Sequence, residues 1–312
     1  MSEILAKDFI ETSEGLVFAV VESGLEQGKV LCFLRYIKSD QQWKKVETKQ
    51  ANQYLTENFP HYLYYSLAKQ AHCHALTLEQ ILTHYQPKVR LKQLVTAENT
   101  DNVETDCQAL CLLFQQQGLD LDHVGVTGSV LISAQKSSSD IDLVFYSKQA
   151  FNQAREITRE LIQNGDCAEL NKGDWMESYN RRSCDLSFND YVWHEKRKFN
   201  KAIVNHRKFD LTLVNYTVPE LELISFKKIG AIVLKVQVTE DALAFDYPAE
   251  FTIDHPEISS IVCYTATYTG QAKTGEWVEV SGVLEQSSEG QQRIVVGSDR
   301  EARGEYIKVM HE

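Results

Sequence analysis

The sequence has no long apolar run, no closely spaced pair of cysteines and no excess of basic residues, and each absence excludes a class of protein. None of the hydrophobic runs in the 312 residues approaches the ~20 residues that a membrane-spanning helix needs. The seven cysteines form no CxxC pair, which favours buried free thiols over a disulfide framework or a structural zinc site. The net charge of −12 argues against a protein coated with nucleic-acid-binding surface.

The composition that is present is that of an ordinary globular protein, with 43% hydrophobic and 24% charged residues. The opening segment MSEILAKDFIETSEG carries acidic residues where a targeting peptide would carry basic ones. We therefore expect a cytoplasmic protein with no membrane partner.

Turn residues and changes of hydrophobic period divide the chain into three predicted domains, 1–93, 94–222 and 223–312. The first is expected to be α+β, because several strands are followed by helices over TKQANQYLTENF and TLEQILTHY, with a linker around Pro87. The last is expected to be β-rich, because short alternating strands follow Pro219, and a small barrel is one arrangement that fits them.

The central region alternates helices and strands. A helix over NVETDCQALCLLFQQQG precedes strand HVGVT, and a helix capped by Ser147 and stopped by Gly165 follows strand DIDLVFY. Ser187 and Asp190 then begin a basic helix over 188–201, and KFDLTLVNY follows as a further strand. The chain is thus predicted to be α+β, with a mixed sheet and flanking helices at its centre.

The segment GVTGSVLISAQKSSSDIDLVFY carries the strongest chemical signal. Gly128 and Ser129 follow a strand, where exposed backbone N–H groups, close approach at glycine and a serine hydroxyl suit a phosphate. Asp140 and Asp142 lie two apart on the next strand, so their side chains leave the same face. Two neighbouring carboxylates are costly to bury without a cation, and such hard oxygen ligands suit Mg²⁺ or Mn²⁺ with a substrate phosphate.

A third carboxylate on a neighbouring strand would complete a site for two ions. Asp210 in FDLTLV is the first candidate, because it alternates with apolar residues as a residue of a central strand should. Asp185 in SCDLSF is the rival, although its context is that of a loop before a helix. The sequence leaves this choice open.

The pattern of Gly-Ser, a gap of about ten residues, Asp-x-Asp and a later strand aspartate resembles the polymerase beta-like nucleotidyltransferase superfamily over roughly residues 95–220. The whole chain resembles a little-characterised group of stand-alone prokaryotic nucleotidyltransferases, mostly archaeal, through KDFIETSEGL, FLRY, GVTGS, SDIDL, WHEKRKFN and GEYIKV. The resemblance implies a nucleotidyltransferase core between two accessory domains. It also implies two-metal transfer of a nucleoside monophosphate from a nucleoside triphosphate such as ATP to an acceptor hydroxyl, with release of pyrophosphate.

The same resemblance implies roles for individual residues. Asp140 and Asp142 would bridge both ions, and Asp210 would hold the catalytic ion and accept the hydroxyl proton. Gly128 and Ser129 would bind the β- and γ-phosphates. Basic residues of the predicted 188–201 helix would neutralise the triphosphate or the backbone of an acceptor strand: Lys196, Arg197, Lys198 and Lys201.

The acceptor is predicted to be an RNA 3′ end, because the basic helix is expected to lie near the predicted site. A protein side-chain hydroxyl is the alternative acceptor, and a catalytically silent nucleotide-binding scaffold is a third interpretation from another functional class. Every residue type expected at the metal and phosphate positions is present, which favours an enzyme over the scaffold. The oligomeric state and the preferred nucleotide are not predicted.

Overall fold

A computed structural model of the chain describes residues 3–67, 71–182, 184–214, 226–298 and 302–311. These residues contain six α-helices and seventeen strands, so the predicted α+β class is confirmed. They divide into two compact units, one holding 3–168 with 202–214 and the other holding 169–201 with 226–311. The division into domains 1–93, 94–222 and 223–312 stays a prediction.

The first unit begins with an antiparallel sheet of seven strands. These are β1 (Phe9–Glu11), β2 (Leu16–Val20), β3 (Lys29–Ser39), β4 (Gln42–Lys45), β5 (Leu63–Ser66), β6 (Ala71–Thr77) and β7 (Thr83–Tyr85). The strand order is β5-β6-β3-β2-β1-β7, and β4 pairs with β3. Helix α1 (Thr48–Asn58) covers this first sheet, with Ala51 and Leu55 in the same core as Phe18 and Leu34.

A second, mixed sheet belongs to the same unit. Its strands are β8 (Val124–Thr127), β9 (Ile141–Phe145), β10 (Lys201–Val204) and β11 (Arg207–Leu213), and its helices are α2 (Pro87–Val95), α3 (Asn102–Gln116) and α4 (Lys148–Asn164). The strand order is β10-β11-β9-β8. Strand β9 runs antiparallel to β8 and parallel to β11.

One face of the mixed sheet is covered by helices. The ring of Phe209 on β11 contacts that of Phe114 on α3, with centroids 6.3 Å apart. The ring of Phe145 on β9 contacts that of Phe151 on α4, at 5.8 Å. All four side chains are almost completely buried, so this face is a packed core with no room for polar chemistry.

The other face of the mixed sheet lies against the N-terminal segment. Leu5 packs in one cluster with Val144, Tyr146 and Val214. Side chains two residues apart on a strand share a face, so the face that carries Val144 also carries Asp142. The carboxylate face of this sheet is therefore the one that the N-terminal residues cover.

Helix α4 begins and ends where the sequence predicts. The Ser147 hydroxyl accepts a hydrogen bond from the Ala150 N–H at 3.3 Å, which confirms the predicted cap. Gly165 ends the helix in the left-handed conformation with φ 84°, which confirms the predicted stop.

Three local predictions are wrong. Residues of TLEQILTHY form a 3₁₀ turn (Leu78–Gln80) and then β7, because β7 pairs with β1 and extends the first sheet. The expected linker around Pro87 is α2, since proline is well tolerated at the first helical position. The basic helix, α6 (Phe188–Lys196), does not reach residue 201, because the chain joins the mixed sheet there as β10.

The second unit combines α6 and a further helix with a β-sheet. Its other elements are α5 (Lys172–Arg182), β12 (Phe226–Leu243), β13 (Ala249–Ile253), β14 (Ile258–Cys263), β15 (Trp277–Ser287), β16 (Gln292–Val296) and β17 (Tyr306–Val309). Strand β12 pairs with both β13 and β15, and the order β12-β13-β14-β16-β15 closes the strands into a ring. The β14–β16 pair is parallel and the others are antiparallel, which is the connectivity of an OB-fold barrel.

Two further observations concern the whole described chain. All seven cysteines are free thiols and six of them are buried, as the absence of CxxC pairs predicts. None of the described helices combines the length and the apolar character that a membrane crossing requires.

A buried ion cluster joins α6 to the barrel in the second unit. Lys198 Nζ lies 2.5 Å from Glu195 Oε1 and donates to the Thr267 carbonyl at 3.1 Å, and Lys201 also pairs with Glu195. Burial lowers the pKa of Lys198 to about 8 against the opposing charge of Glu195. Burial disfavours ionisation of Glu195, but the charges of Lys198 and Lys201 outweigh it and hold the pKa of that carboxyl well below its usual range.

We expect Glu195→Gln to reduce the free energy of unfolding by about 3–5 kcal/mol, because it leaves the buried Lys198 ammonium without its counter-charge. Glu169→Gln is the matched control, since its exposed pair with Lys196 contributes about 0–1 kcal/mol. Urea unfolding of the two variants measures the difference. Equal losses would contradict a structural role for the buried cluster.

Candidate active site

Two carboxylates lie side by side on the face of the mixed sheet that the N-terminal segment covers. Parallel strands β9 and β11 are in register, with Asp142 directly opposite Asp210. In a parallel pair, residues in register point to the same side of the sheet, so the two side chains are neighbours. Lys208 and Asp140 precede them, and Lys208 Nζ lies 4.0 Å from Asp140 Oδ1.

The electrostatics of Asp142 reflect this crowding. Burial raises the pKa of Asp142 to about 6, and the negative charges of Asp210 and Asp140 act in the same direction. Lys7 and Lys45 oppose them, but their positive charges do not cancel the increase. The site therefore stores electrostatic repulsion that a bound cation would relieve.

One carboxylate oxygen of Asp210 gives independent evidence about the site. This Oδ1 atom is buried and has no hydrogen-bond partner among the described residues. An ionised oxygen in that condition is costly, since buried polar atoms are normally paired. Asp142 and Asp210 together thus fit a hard divalent cation that keeps part of its coordination for water or substrate phosphate.

The carboxylates do not form a closed cage. No group of three or more His, Cys, Asp or Glu side chains arranged to hold a metal occurs in the part of the chain that the structure describes. Asp140 lies just before β9, beside Lys208. Asp142 and Asp210 are therefore the two carboxylates that the strand pairing itself brings together.

Gly128 is fixed beside the carboxylates. The residue before it, Thr127, pairs with Asp142 across β8 and β9. Gly128 has φ 67°, and a Cβ atom built on it would overlap the Asp142 carboxylate. Ser129 follows and opens a 3₁₀ turn at Val130–Ile132. The predicted Gly-Ser turn therefore lies against the Asp142 side chain, as a phosphate-binding turn at a metal site requires.

The loop between Ser129 and Asp140 is held by two arginines. Arg207 donates to the carbonyls of Ser137 and Ser139 at 2.9 and 2.6 Å. Arg90 Nε donates to the Val130 carbonyl at 3.0 Å. Both ends of the loop are thereby tied to the α2–α3 region and to β11, which fixes the distance between the Gly-Ser turn and the Asp-x-Asp strand.

The basic residues predicted to bind phosphate lie in α6 and just after it, and each has a carboxylate partner there. The pairs are Lys196 with Glu169 at 2.6 Å, Arg197 with Glu276, and Lys201 with Glu195. Lys198 is buried in the same cluster. The phosphate-binding role of Lys196, Arg197 and Lys201 stays a prediction.

The rival third carboxylate has a different setting. Asp185 lies in the loop between α5 and α6, and its Oδ2 accepts a hydrogen bond from the Gly304 N–H at 2.9 Å. Asp210, and not Asp185, is thus the residue whose strand pairing brings it beside Asp142.

Lys7 and Lys45 were not among the candidates from the sequence. Both are exposed lysines of the N-terminal region, where exposed lysines are common and no motif distinguishes these two. Only the packing of the first sheet against the Gly-Ser turn brings them to Asp142, and that packing has no signature in the local sequence.

The chain is similar over nearly its whole length to uncharacterized protein MJ1086 of Methanocaldococcus jannaschii. The two are 33% identical over 337 aligned residues, which cover 98% of this chain and 99% of the archaeal protein. The chain belongs to the same family as this archaeal protein. No family model matches the chain, and no solved structure matches it. Because the alignment is almost end to end, the relationship includes both compact units.

We expect Mg²⁺ or Mn²⁺ to raise the melting temperature at pH 7.5 by about 3–6 °C at ten times its Kd, since binding of that strength contributes about 1.4 kcal/mol. The raised pKa of Asp142 means that the metal-free fold loses stability as the pH rises through about 6. Below pH 5 Asp142 is protonated, and we expect the metal response to disappear. Differential scanning calorimetry at both pH values measures this.

Asp142→Asn tests the same site by removing the charge. The metal-free variant should be at least as stable as the wild type at pH 7.5 and should not respond to Mg²⁺. Asp166→Asn, at an exposed position, is the control and should respond like the wild type. An undiminished response in Asp142→Asn would contradict cation binding at this carboxylate.

Gly128→Ala should destabilise the protein and abolish the Mg²⁺ response, because the added methyl group overlaps the Asp142 carboxylate. Gly118→Ala is the matched control: it has φ 83° and nothing within 4 Å of the added Cβ, so it carries only the backbone cost of about 1 kcal/mol. We expect Gly128→Ala to lose about 1–3 kcal/mol more in urea unfolding. Similar losses in both variants would show that the Gly128 contact is unimportant.

Proposed function

We propose that the chain is a metal-dependent nucleotidyltransferase with a polymerase beta-like core, which transfers a nucleoside monophosphate from a nucleoside triphosphate to an acceptor hydroxyl. One observation carries the proposal: Asp142 and Asp210 lie side by side, and Asp210 Oδ1 is buried without a hydrogen-bond partner among the described residues. The Gly128 turn against the same carboxylate supports it, because the motif pairs a phosphate site with a metal site. Asp140, Asp142 and Asp210 would hold Mg²⁺ or Mn²⁺, with Asp140 at the edge of the group.

The proposed reaction is an in-line displacement at the α-phosphorus. The acceptor hydroxyl oxygen forms a bond to this phosphorus, and the bond to the oxygen bridging the α- and β-phosphates breaks. Pyrophosphate leaves with the electron pair, and the Asp210 carboxylate takes the hydroxyl proton. The chemistry that bound divalent cations supply is neutralisation of the charge on the attacking and leaving oxygens.

The residues of the chain contribute position and charge. The Gly128–Ser129 turn binds the β- and γ-phosphates through its backbone N–H groups and the serine hydroxyl. Arg207 and Arg90 keep the loop between this turn and Asp140 in place through carbonyls. These positioning contacts let the phosphate site and the carboxylates act on one substrate without rearrangement.

An RNA 3′ end is the acceptor that we propose. Between Arg181 and Lys208 the sequence holds eight basic and three acidic residues, so the stretch is net basic and suits a polyanionic strand, although Lys196, Arg197 and Lys201 each pair with a carboxylate. The second unit has the connectivity of an OB-fold barrel, an architecture that binds oligonucleotides in other proteins. A cytoplasmic location fits this function, since the buried thiols of the chain are free.

The transfer assay uses α-labelled ATP, CTP, GTP and UTP in turn, with Mg²⁺ or Mn²⁺, total RNA and the purified protein. We expect label on RNA and release of pyrophosphate. Asp142→Asn and Asp210→Asn should each reduce transfer about a hundredfold or more through loss of a metal ligand, and Asp185→Asn should keep wild-type transfer.

The same assay separates the alternatives. Label on protein instead of RNA would support a protein-modifying enzyme and contradict the RNA acceptor. Wild-type protein that neither labels an acceptor nor releases pyrophosphate with either metal would contradict the enzyme. Full transfer by Asp142→Asn would contradict the metal site.

A further inference from the structure

A hydrogen bond to its main-chain carbonyl holds Lys7 next to the candidate site. The Thr127 hydroxyl donates a hydrogen bond to the Lys7 carbonyl at 2.7 Å, and Thr127 is the strand partner of Asp142. The Lys7 N–H donates to the Val20 carbonyl at 2.9 Å, which ties the residue to the first sheet. Lys7 is therefore held between the first sheet and Thr127. Thr127 is the last residue of β8 and directly precedes Gly128.

The backbone of Lys7 is in an unusual conformation. Its φ of 73° is in the left-handed region, where glycine is unstrained and a residue with a side chain is not. The Lys7 side chain is exposed, so it gains little from core packing in return. Strain of this kind in a residue beside a cluster of acidic groups is typical of functional positions.

Lys45, the last residue of β4, lies near the same region. It pairs with Tyr36 across β3 and β4. Tyr36 is buried in one cluster with Leu131 and Ile132, which lie two and three residues after Ser129. The end of β4 is thus held over the loop that begins at Ser129.

The charges of the site are consistent with these positions. Three carboxylates and Lys208 lie on the mixed sheet. Lys7 is held next to Thr127, the strand partner of Asp142, and Lys45 lies at the end of β4 beside the loop that begins at Ser129. A triphosphate brought to three carboxylates needs positive charge beyond the metal ions, and lysine ammonium groups on flexible stems are suited to it.

We infer that Lys7 and Lys45, from the N-terminal strand region, form the cationic side of the substrate site and bind the β- and γ-phosphates of the nucleotide. The inference rests on the proposed function only for the identity of the substrate as a nucleotide. Binding of a polyphosphate anion by these two lysines does not depend on it. It assigns the first sheet a direct role in binding, in the same compact unit as the carboxylates.

The test measures the affinity of the full chain for inorganic tripolyphosphate with Mg²⁺ by isothermal titration calorimetry. Lys7→Gln and Lys45→Gln should each weaken binding about tenfold, as expected for loss of a charge-assisted contact. Lys44→Gln is the matched control, because Lys44 is the neighbour of Lys45 on β4 and its side chain points to the opposite face. It should bind within about twofold of the wild type.

Lys7→Gly separates binding from folding. Glycine removes the charge and relieves the left-handed backbone, so this variant should melt no lower than the wild type and still lose affinity about tenfold. Wild-type affinity in Lys7→Gly and Lys45→Gln, or no binding of tripolyphosphate by the wild type, would overturn the inference.

The transfer assay run beside the titration separates this inference from the proposed function. Nucleotide transfer by the wild type, with unchanged tripolyphosphate affinity in the lysine variants, contradicts the inference and leaves the transferase standing. Weakened tripolyphosphate binding in the lysine variants, with no transfer by the wild type, supports the anion site and contradicts the transferase.

Discussion

The parallel pairing of β9 with β11 is the constraint on which the site depends. It places Asp142 directly beside Asp210, although 68 residues of sequence separate them. A shift of one residue in this register would turn Asp210 toward the aromatic core of α3 and Phe209 toward the N-terminal segment. Because Phe209 and Phe114 fill that core, hydrophobic packing on one face of the sheet fixes the carboxylates on the other.

The cost of this arrangement explains the organisation around it. Two neighbouring carboxylates raise the cost of ionising the pair, and the buried Asp210 oxygen that has no hydrogen-bond partner among the described residues adds to that cost. The surrounding contacts offset it: Leu5 packs on Val144 beside Asp142, and Arg207 holds the preceding loop. Stability is thus supplied by groups next to the site, so that the site itself keeps the charge needed to attract a cation.

The sequence predicts the parts of this structure that are encoded locally. Ser147 and Gly165 delimit α4 because a cap and a left-handed stop need particular residues at particular positions. Prediction from the sequence fails where pairing with distant strands overrides the local pattern. TLEQILTHY has a helical pattern, but its last residues extend the first sheet as β7. The Gly-Ser and Asp-x-Asp motifs identify candidate ligands, but only the register of β9 and β11 distinguishes Asp210 from Asp185.

The N-terminal strands are consequently more than an accessory to the central sheet. They belong to the same compact unit, and the segment that precedes them packs Leu5 on the face of the mixed sheet that the helices leave open. A sheet with one face packed against helices offers its other face for chemistry only if something excludes bulk water there, since charge interactions weaken steeply in water. Tyr36, buried with Leu131 and Ile132, supplies apolar cover beside the Gly-Ser turn, while Lys7 and Lys45 supply charge. The first sheet and the segment before it therefore place apolar cover and two positive charges beside the carboxylates.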